Sequence, residues 1–160
     1  MQSIETYTLQ NKSFTNKESI TIYKEALNQL KCDSAYYCYE LLDSGQNEHQ
    51  ELQFFLFESA EEGLLAVMPF LMREVLINGI KTQYYDVSSP WGYNGPFFRK
   101  DLSKEDRIGF WNAVDAWYCD HSVVSEFLRF NFFQNYIDYS GTAVHTLLNV
   151  KGNIRDWEAF

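Results

Sequence analysis

Asn78-Gly79 lies between two strand-forming runs, Leu64 to Ile77 and Ile80 to Val87. A two-residue type I′ turn needs φ > 0 at both central residues, and Asn-Gly tolerates that, so the dipeptide predicts a tight hairpin. Leu52 to Glu58, rich in Phe, predicts a strand before it, joined through a turn at Glu61-Glu62-Gly63. The three strands form an antiparallel meander. Pro69 removes a ladder donor from the long middle strand, which predicts an edge position or a bulge there.

Helical signals flank the meander. Thr15-Asn16-Lys17-Glu18 has a capping-box pattern. Ile22, Tyr23, Ala26, Leu27 and Leu30 follow on one helical face. Residues 35–42 fit either a strand or a second short helix, and 43–47 read as a loop. After a loop from Ser88 to Leu102, Ser103 caps a helix with Asp106 at its third position. Ile108, Trp111, Val114, Trp117 and Tyr118 form that helix's apolar stripe. Val123 to Phe130 then predicts a strand, and Gly141 to Val150 another. Residues 152–160 read as a helix that has only begun, which implies a truncated chain. A strand–helix–strand crossover from Val87 to Val123 calls for a parallel pair. The expected class is α/β (α+β), a mixed sheet with an antiparallel meander, a crossover helix and flanking helices.

Composition narrows the function. The net charge of −9 repels phosphate backbones, so no direct nucleic-acid contact is expected. Aromatics make up 18% of the chain, more than a small core holds, so some should line a concave surface. The three cysteines, Cys32, Cys38 and Cys119, lack framework or metal spacing and read as reduced core thiols of a cytoplasmic protein. The N-terminus is too polar for a signal peptide. The longest apolar stretch, Leu64 to Met72, is too short for a membrane span. His49, His121 and His145 follow no ligand pattern, so no metal is expected.

Two local motifs add a resemblance. Tyr84-Tyr85-Asp86-Val87-Ser88-Ser89-Pro90-Trp91-Gly92-Tyr93-Asn94-Gly95-Pro96 and Ser125-Glu126-Phe127-Leu128-Arg129-Phe130 together resemble the FemABX-like family of tandem-GNAT transferases. That family shows a Tyr-Gly-Tyr-Gly-Gly-Pro loop and a Glu-Phe-Ile-Arg-Phe-His-Pro strand end in this order. Here Trp91 and Asn94 replace a Tyr and a Gly, and Asn131-Phe132 replaces His-Pro. The resemblance spans residues 15–160. It implies a GNAT-like fold and transfer of an acyl or aminoacyl group to an amine of a small-molecule or cell-wall precursor. It also implies residues 1–150 as an N-terminal GNAT-like domain, 151–160 as the start of a connection, and a missing C-terminal GNAT domain as partner. Self-association through the apolar surface left near the C-terminus or the Trp91 loop is a further expectation.

Trp91, Gly92, Tyr93, Asn94 and Gly95 form a rigid aromatic turn at the C-terminal end of a strand, where open α/β sheets bind ligands. Gly92 and Gly95 permit φ > 0. Pro90 and Pro96 stiffen the turn. On the Val123–Phe130 strand, simple alternation puts Glu126 and Arg129 on opposite faces, so neither can pair with the other. Each needs a partner or a ligand, and the Arg129 guanidinium suits a carboxylate. The resemblance implies that the strand-to-helix loop would hold a donor pyrophosphate on free N–H groups. Here two prolines, Glu105 and Asp106 oppose that, and the Arg/Gln-x-x-Gly-x-Gly/Ala pattern is absent. The expectation is no donor bound by this chain alone, with acyl-CoA or aminoacyl-tRNA serving a longer protein. A non-catalytic carbohydrate- or partner-binding domain and a complete acetyl-CoA-dependent N-acetyltransferase are the alternatives.

Overall fold

The computed structural model describes residues 6–44, 48–131 and 135–146. The chain builds one mixed sheet of six strands with helices on both faces. The strands are β1 (Tyr7–Ser13), β2 (Gln50–Ser59), β3 (Gly63–Ile77), β4 (Ile80–Ser88), β5 (Phe97–Phe98) and β6 (Val123–Phe127). The helices are α1 (Lys17–Gln29), α2 (Tyr39–Asp43) and α3 (Lys104–Asp120). The spatial order is β1-β2-β3-β4-β6, and β5 pairs with β3 beyond the end of β4. The meander is antiparallel and β6 runs parallel to β4. This is the expected GNAT-like arrangement.

Alternation divides β2 between two cores. Leu52, Phe54 and Leu56 pack under α1 with Phe14, Tyr23, Ala26, Leu30, Val67 and Leu71. Phe55 and Phe57 point the other way, to Met68, Phe70 and the α3 residues Phe110, Trp111 and Val114. A strand covered on both faces is largely apolar, which explains Leu52 and the Phe54-Phe55-Leu56-Phe57 run; the polar residue between them, Gln53, accepts a hydrogen bond from Asn11. The two layers also absorb many of the aromatic side chains.

Several expectations need correction. The first strand, β1, is absent from the sequence reading. Its Tyr7 and Leu9 touch the α3 core, but its other positions are polar: Gln10 donates to Glu58 and Asn11 to Gln53 across the strand pair. An edge strand solvated on one side carries little apolar signal. Pro69 marks neither an edge nor a bulge. It pairs with Phe54 of β2 in uninterrupted register. On the other side of β3, β4 ends at Leu71 and β5 begins at Val67, so Pro69 sits in the gap between two successive neighbours. Residues 35–42 form a 3-10 turn, Ala35–Tyr37, and the short helix α2. The expected Gly141 strand does not form over 141–146, and 147–160 lie outside the described residues. On α3, Ile108 is exposed and Phe110 is buried in its place. The three cysteines are free, but Cys38 and Cys119 are exposed rather than in the core. Among the described residues, no helix is long and apolar enough to cross a membrane.

Phe110 is fully buried, with its ring edge-on to Phe57 at 5.5 Å and to Phe98 at 5.4 Å. Phe110→Ala is expected to lower the unfolding free energy by about 3–5 kcal/mol. Urea denaturation of the two proteins measures it.

Candidate functional site

β4 passes into the loop that the sequence singled out, and the loop stays bound to β6. Ser89 donates its N–H to the Phe127 carbonyl at 3.0 Å, and Asn94 donates to the Arg129 carbonyl at 2.9 Å. Between them, Arg129 N–H donates to Ser89 Oγ at 2.9 Å. A serine side chain thus stands in for a main-chain acceptor, and the parallel pairing runs on to the Asn94–Phe130 bridge.

The aromatic part of the loop closes over Tyr36. Tyr93 meets the Tyr36 ring edge-on at 5.7 Å, and Trp91 lies 6.5 Å from it. Gly92 is required here: its φ is +94°, and a Cβ would come within 2.4 Å of Tyr36 Cδ1. Trp91 is 54% exposed and Tyr93 42% exposed, so both rings reach the surface. Asn94 differs from its neighbours. It is fully buried, and its side chain accepts from Gly95 N–H and donates to the Trp91 carbonyl. Gly95, at φ +80°, lies against Asn135 and Phe130.

Asn135, which the sequence reading did not single out, holds this turn from below. Its Nδ2 donates to the Asn94 carbonyl at 2.7 Å and to the Pro96 carbonyl at 2.8 Å, and its Oδ1 accepts from Asn131 N–H at 2.9 Å. Asn131 continues the chain of bonds by donating to Tyr37 Oη. An isolated asparagine 40 residues downstream carries no local signal for such a role.

Glu126 and Arg129 lie apart, and a bulge decides how. Tyr85 pairs with Val123 but Asp86 with Ser125, so Val124 is an extra residue. Simple alternation fails at that point, and Val123 packs on the α3 side with Leu128 and Phe130. Glu126 accepts hydrogen bonds from Tyr118 and, at 2.6 Å, from Tyr139. Burial raises its pKa above the ordinary 4.5, although the two phenols oppose the rise. Arg129 Nη2 donates to the Pro90 carbonyl at 2.7 Å. A cleft of about 500 Å³ runs beside this stretch, lined by Tyr93, Phe127, Arg129, Asn131, Tyr136 and His145 among others.

The start of α3 carries a reciprocal cap. Ser103 Oγ accepts from Asp106 N–H, and Asp106 accepts from Ser103 N–H in return. Tyr7 Oη also donates to Asp106 at 2.8 Å. Burial pushes the Asp106 pKa up, but the Ser103 and Tyr7 bonds outweigh it and hold the carboxyl below its ordinary 3.8. The Asp106 carboxylate thus takes the Ser103 N–H and the Ser103 hydroxyl takes the Asp106 N–H, two groups at the helix start that an incoming anion could use. Among the described residues, no group of three or more His, Cys, Asp or Glu could hold a metal ion.

Two variants probe this site. Asn135→Ala leaves two buried carbonyls without their shared donor. It is expected to cost about 1–3 kcal/mol of stability and to speed amide hydrogen exchange at Gly95. The Glu126 pKa is raised in the folded state, so its stabilising contribution is full below 4.5 and is lost as pH rises through the folded value. Glu126→Gln is expected to flatten the stability profile as pH rises above 4.5, read from urea midpoints.

No protein-family model matches the chain. A stretch of 75 residues, 47% of the chain, is 32% identical to a fructan 1-exohydrolase from Bromus pictus. The chain spans 11% of that curated relative, and the activity in its name belongs to that protein. Among solved structures, the chain is similar to an aminoglycoside 6'-N-acetyltransferase from Acinetobacter baumannii, at 11% identity and TM-score 0.48. That likeness covers 93% of this chain and 99% of the other. A second such enzyme, from Acinetobacter haemolyticus, is 13% identical with TM-score 0.45, covering 92% and 99%. A ribosomal-protein-alanine N-acetyltransferase from Brucella melitensis biovar Abortus is 9% identical with TM-score 0.42, again covering 92% and 99%. The expected partner, a missing C-terminal GNAT domain, is corrected here: each likeness extends over 99% of the solved chain rather than over half of a tandem.

Proposed function

We propose that this chain serves acyl transfer to an amine, and that the cleft at the C-terminal ends of β4 and β6 receives the acceptor. The observation that carries the reading is exposed aromatic surface: Tyr93 and Phe127 line that cleft, and Tyr93 and Trp91 are fixed around Tyr36 beside it. Flat rings take the apolar body of a ligand and attract a cationic amine to their faces. The net charge of −9 draws the same cation. Amine-bearing precursors of cell-wall or surface polymers are the acceptors that the FemABX-like resemblance implies.

The donor does not fit the start of α3. The loop N–H groups of Ser89, Asn94, Gly95 and Arg99 all have acceptors within the fold. Pro90 and Pro96 have none to offer, and Asp106 caps the helix. An acyl-CoA or aminoacyl-tRNA donor would need other contacts. The second reading is a self-sufficient acetyl-CoA-dependent N-acetyltransferase. It is favoured by a cavity of about 520 Å³ beside the first turn of α3, lined in part by Arg99, Lys100 and Arg107. Two of those cations are already paired, Arg99 with Glu62 and Arg107 with Asp138. Asp33 and Asp101 also line it.

Calorimetric titration with acetyl-coenzyme A separates the two. Weak or undetectable binding is expected. Micromolar binding that is lost on Gly92→Ala or Gly95→Ala would make the loop a working donor site and the second reading the correct one.

A further inference from the structure

Four arginines lie among the described residues, and three have carboxylate partners: Arg73 with Asp86, Arg99 with Glu62 and Arg107 with Asp138. Arg129 has no ion-pair partner among the described residues, in a chain that carries 22 Asp and Glu. In an acidic protein that is an unusual position for a guanidinium. The side chain is nevertheless oriented, because Nη2 donates to the Pro90 carbonyl at 2.7 Å. The same residue's backbone is fixed at both ends, by Ser89 Oγ and by Asn94 N–H.

That one bond leaves a recognition surface free. A guanidinium offers two edges with two parallel N–H donors each. One hydrogen of Nη2 reaches Pro90, and it belongs to only one of those edges. The other edge keeps both donors, the geometry that a carboxylate accepts bidentately. Arg129 lines the cleft with Tyr93, Phe127 and Tyr136, so an anionic group bound there would have apolar ring surface beside it. Glu126 borders the same cleft but does not oppose an anion strongly. Tyr118 and Tyr139 donate to its two oxygens, and burial favours its protonated form.

We propose that Arg129 binds a carboxylate of the acceptor, so that the cleft takes an amino acid or peptide rather than a simple amine. This rests on the acceptor-cleft reading given above. A carboxylate fits better than a phosphate because Arg129 is the single Lys or Arg among the described residues that line the cleft. One cation balances one negative charge, whereas a phosphate dianion in a chain of net charge −9 would need more.

The test is an NMR titration of the 15N-labelled chain with glycyl-lysine, with glycyl-lysine amide and with inorganic phosphate. The Arg129 side-chain Nε–H and the Gly92 and Gly95 amides report binding. The free dipeptide is expected to shift all three saturably, and its amide to bind about tenfold more weakly or worse, the usual difference for a charge-assisted bond. Arg129→Lys is expected to weaken the dipeptide by a similar factor. The dipeptide and amide comparison on the unaltered chain needs no variant to fold. Equal binding of the two peptides would overturn the carboxylate assignment and leave the acceptor cleft standing. No saturable shift with either would overturn both. Phosphate that displaces the dipeptide at equal or lower concentration would overturn the assignment in favour of a general oxyanion site.

Discussion

Burial of β2 and β3 on both faces is the constraint from which the rest of the structure follows. A sheet with α1 on one side and α3 on the other needs central strands that are largely apolar on both faces where the helices cover them. The Phe-rich β2 and the run through Met68 and Phe70 meet that demand. Once both layers are in place, the chain must leave β4, cross over α3 and return beside β4. The loop at the end of β4 is therefore held between two cores, and its geometry is decided by what it can bond to there.

What it bonds to is mainly polar and mainly internal. Ser89, Asn94, Asn131 and Asn135 form a set of bonds that joins the loop to the segment after β6 and, through Tyr37, to the 3-10 turn before α2. Buried carbonyls without donors are costly, so these asparagines specify one loop conformation. The consequence for function is a division of the loop. Its base is closed and has few donors left for a ligand, while its tip presents Trp91 and Tyr93 outward. Rigidity at the base allows exposed rings at the tip to keep a fixed orientation.

The parts of this arrangement that could be read from the sequence are those with a strong local cause. Asn78-Gly79 takes φ values of +52° and +77°, as its hairpin requires. Ser103 caps α3 where the capping pattern places it, and α1 is capped by Asn16, one residue after the Thr15 that its pattern implies. Gly92 and Gly95 both take positive φ. The parts that could not be read depend on distant partners. β1 is recognisable only through its pairing with β2. Pro69 is tolerated because β4 ends and β5 begins on the same flank of β3, which no local pattern announces. Asn135 acts on carbonyls about 40 positions away. The loop residues were legible as a rigid aromatic turn, but the burial of Asn94 beneath its exposed neighbours was not.

The bulge at Val124 gives β6 two chemically different sides within four residues. Toward α3, Glu126 lies among tyrosines and is pushed toward neutrality by burial. At Arg129, the guanidinium has no carboxylate partner among the described residues. Glu126 and Arg129 border one cleft without pairing with each other, because their partners differ. Tyrosines hold the first and a backbone carbonyl orients the second. Had Glu126 paired directly with Arg129, the cleft would carry no net local charge. Their separation leaves a positive point beside aromatic surface on an acidic chain, a combination that selects for a ligand carrying both an apolar body and an anionic end.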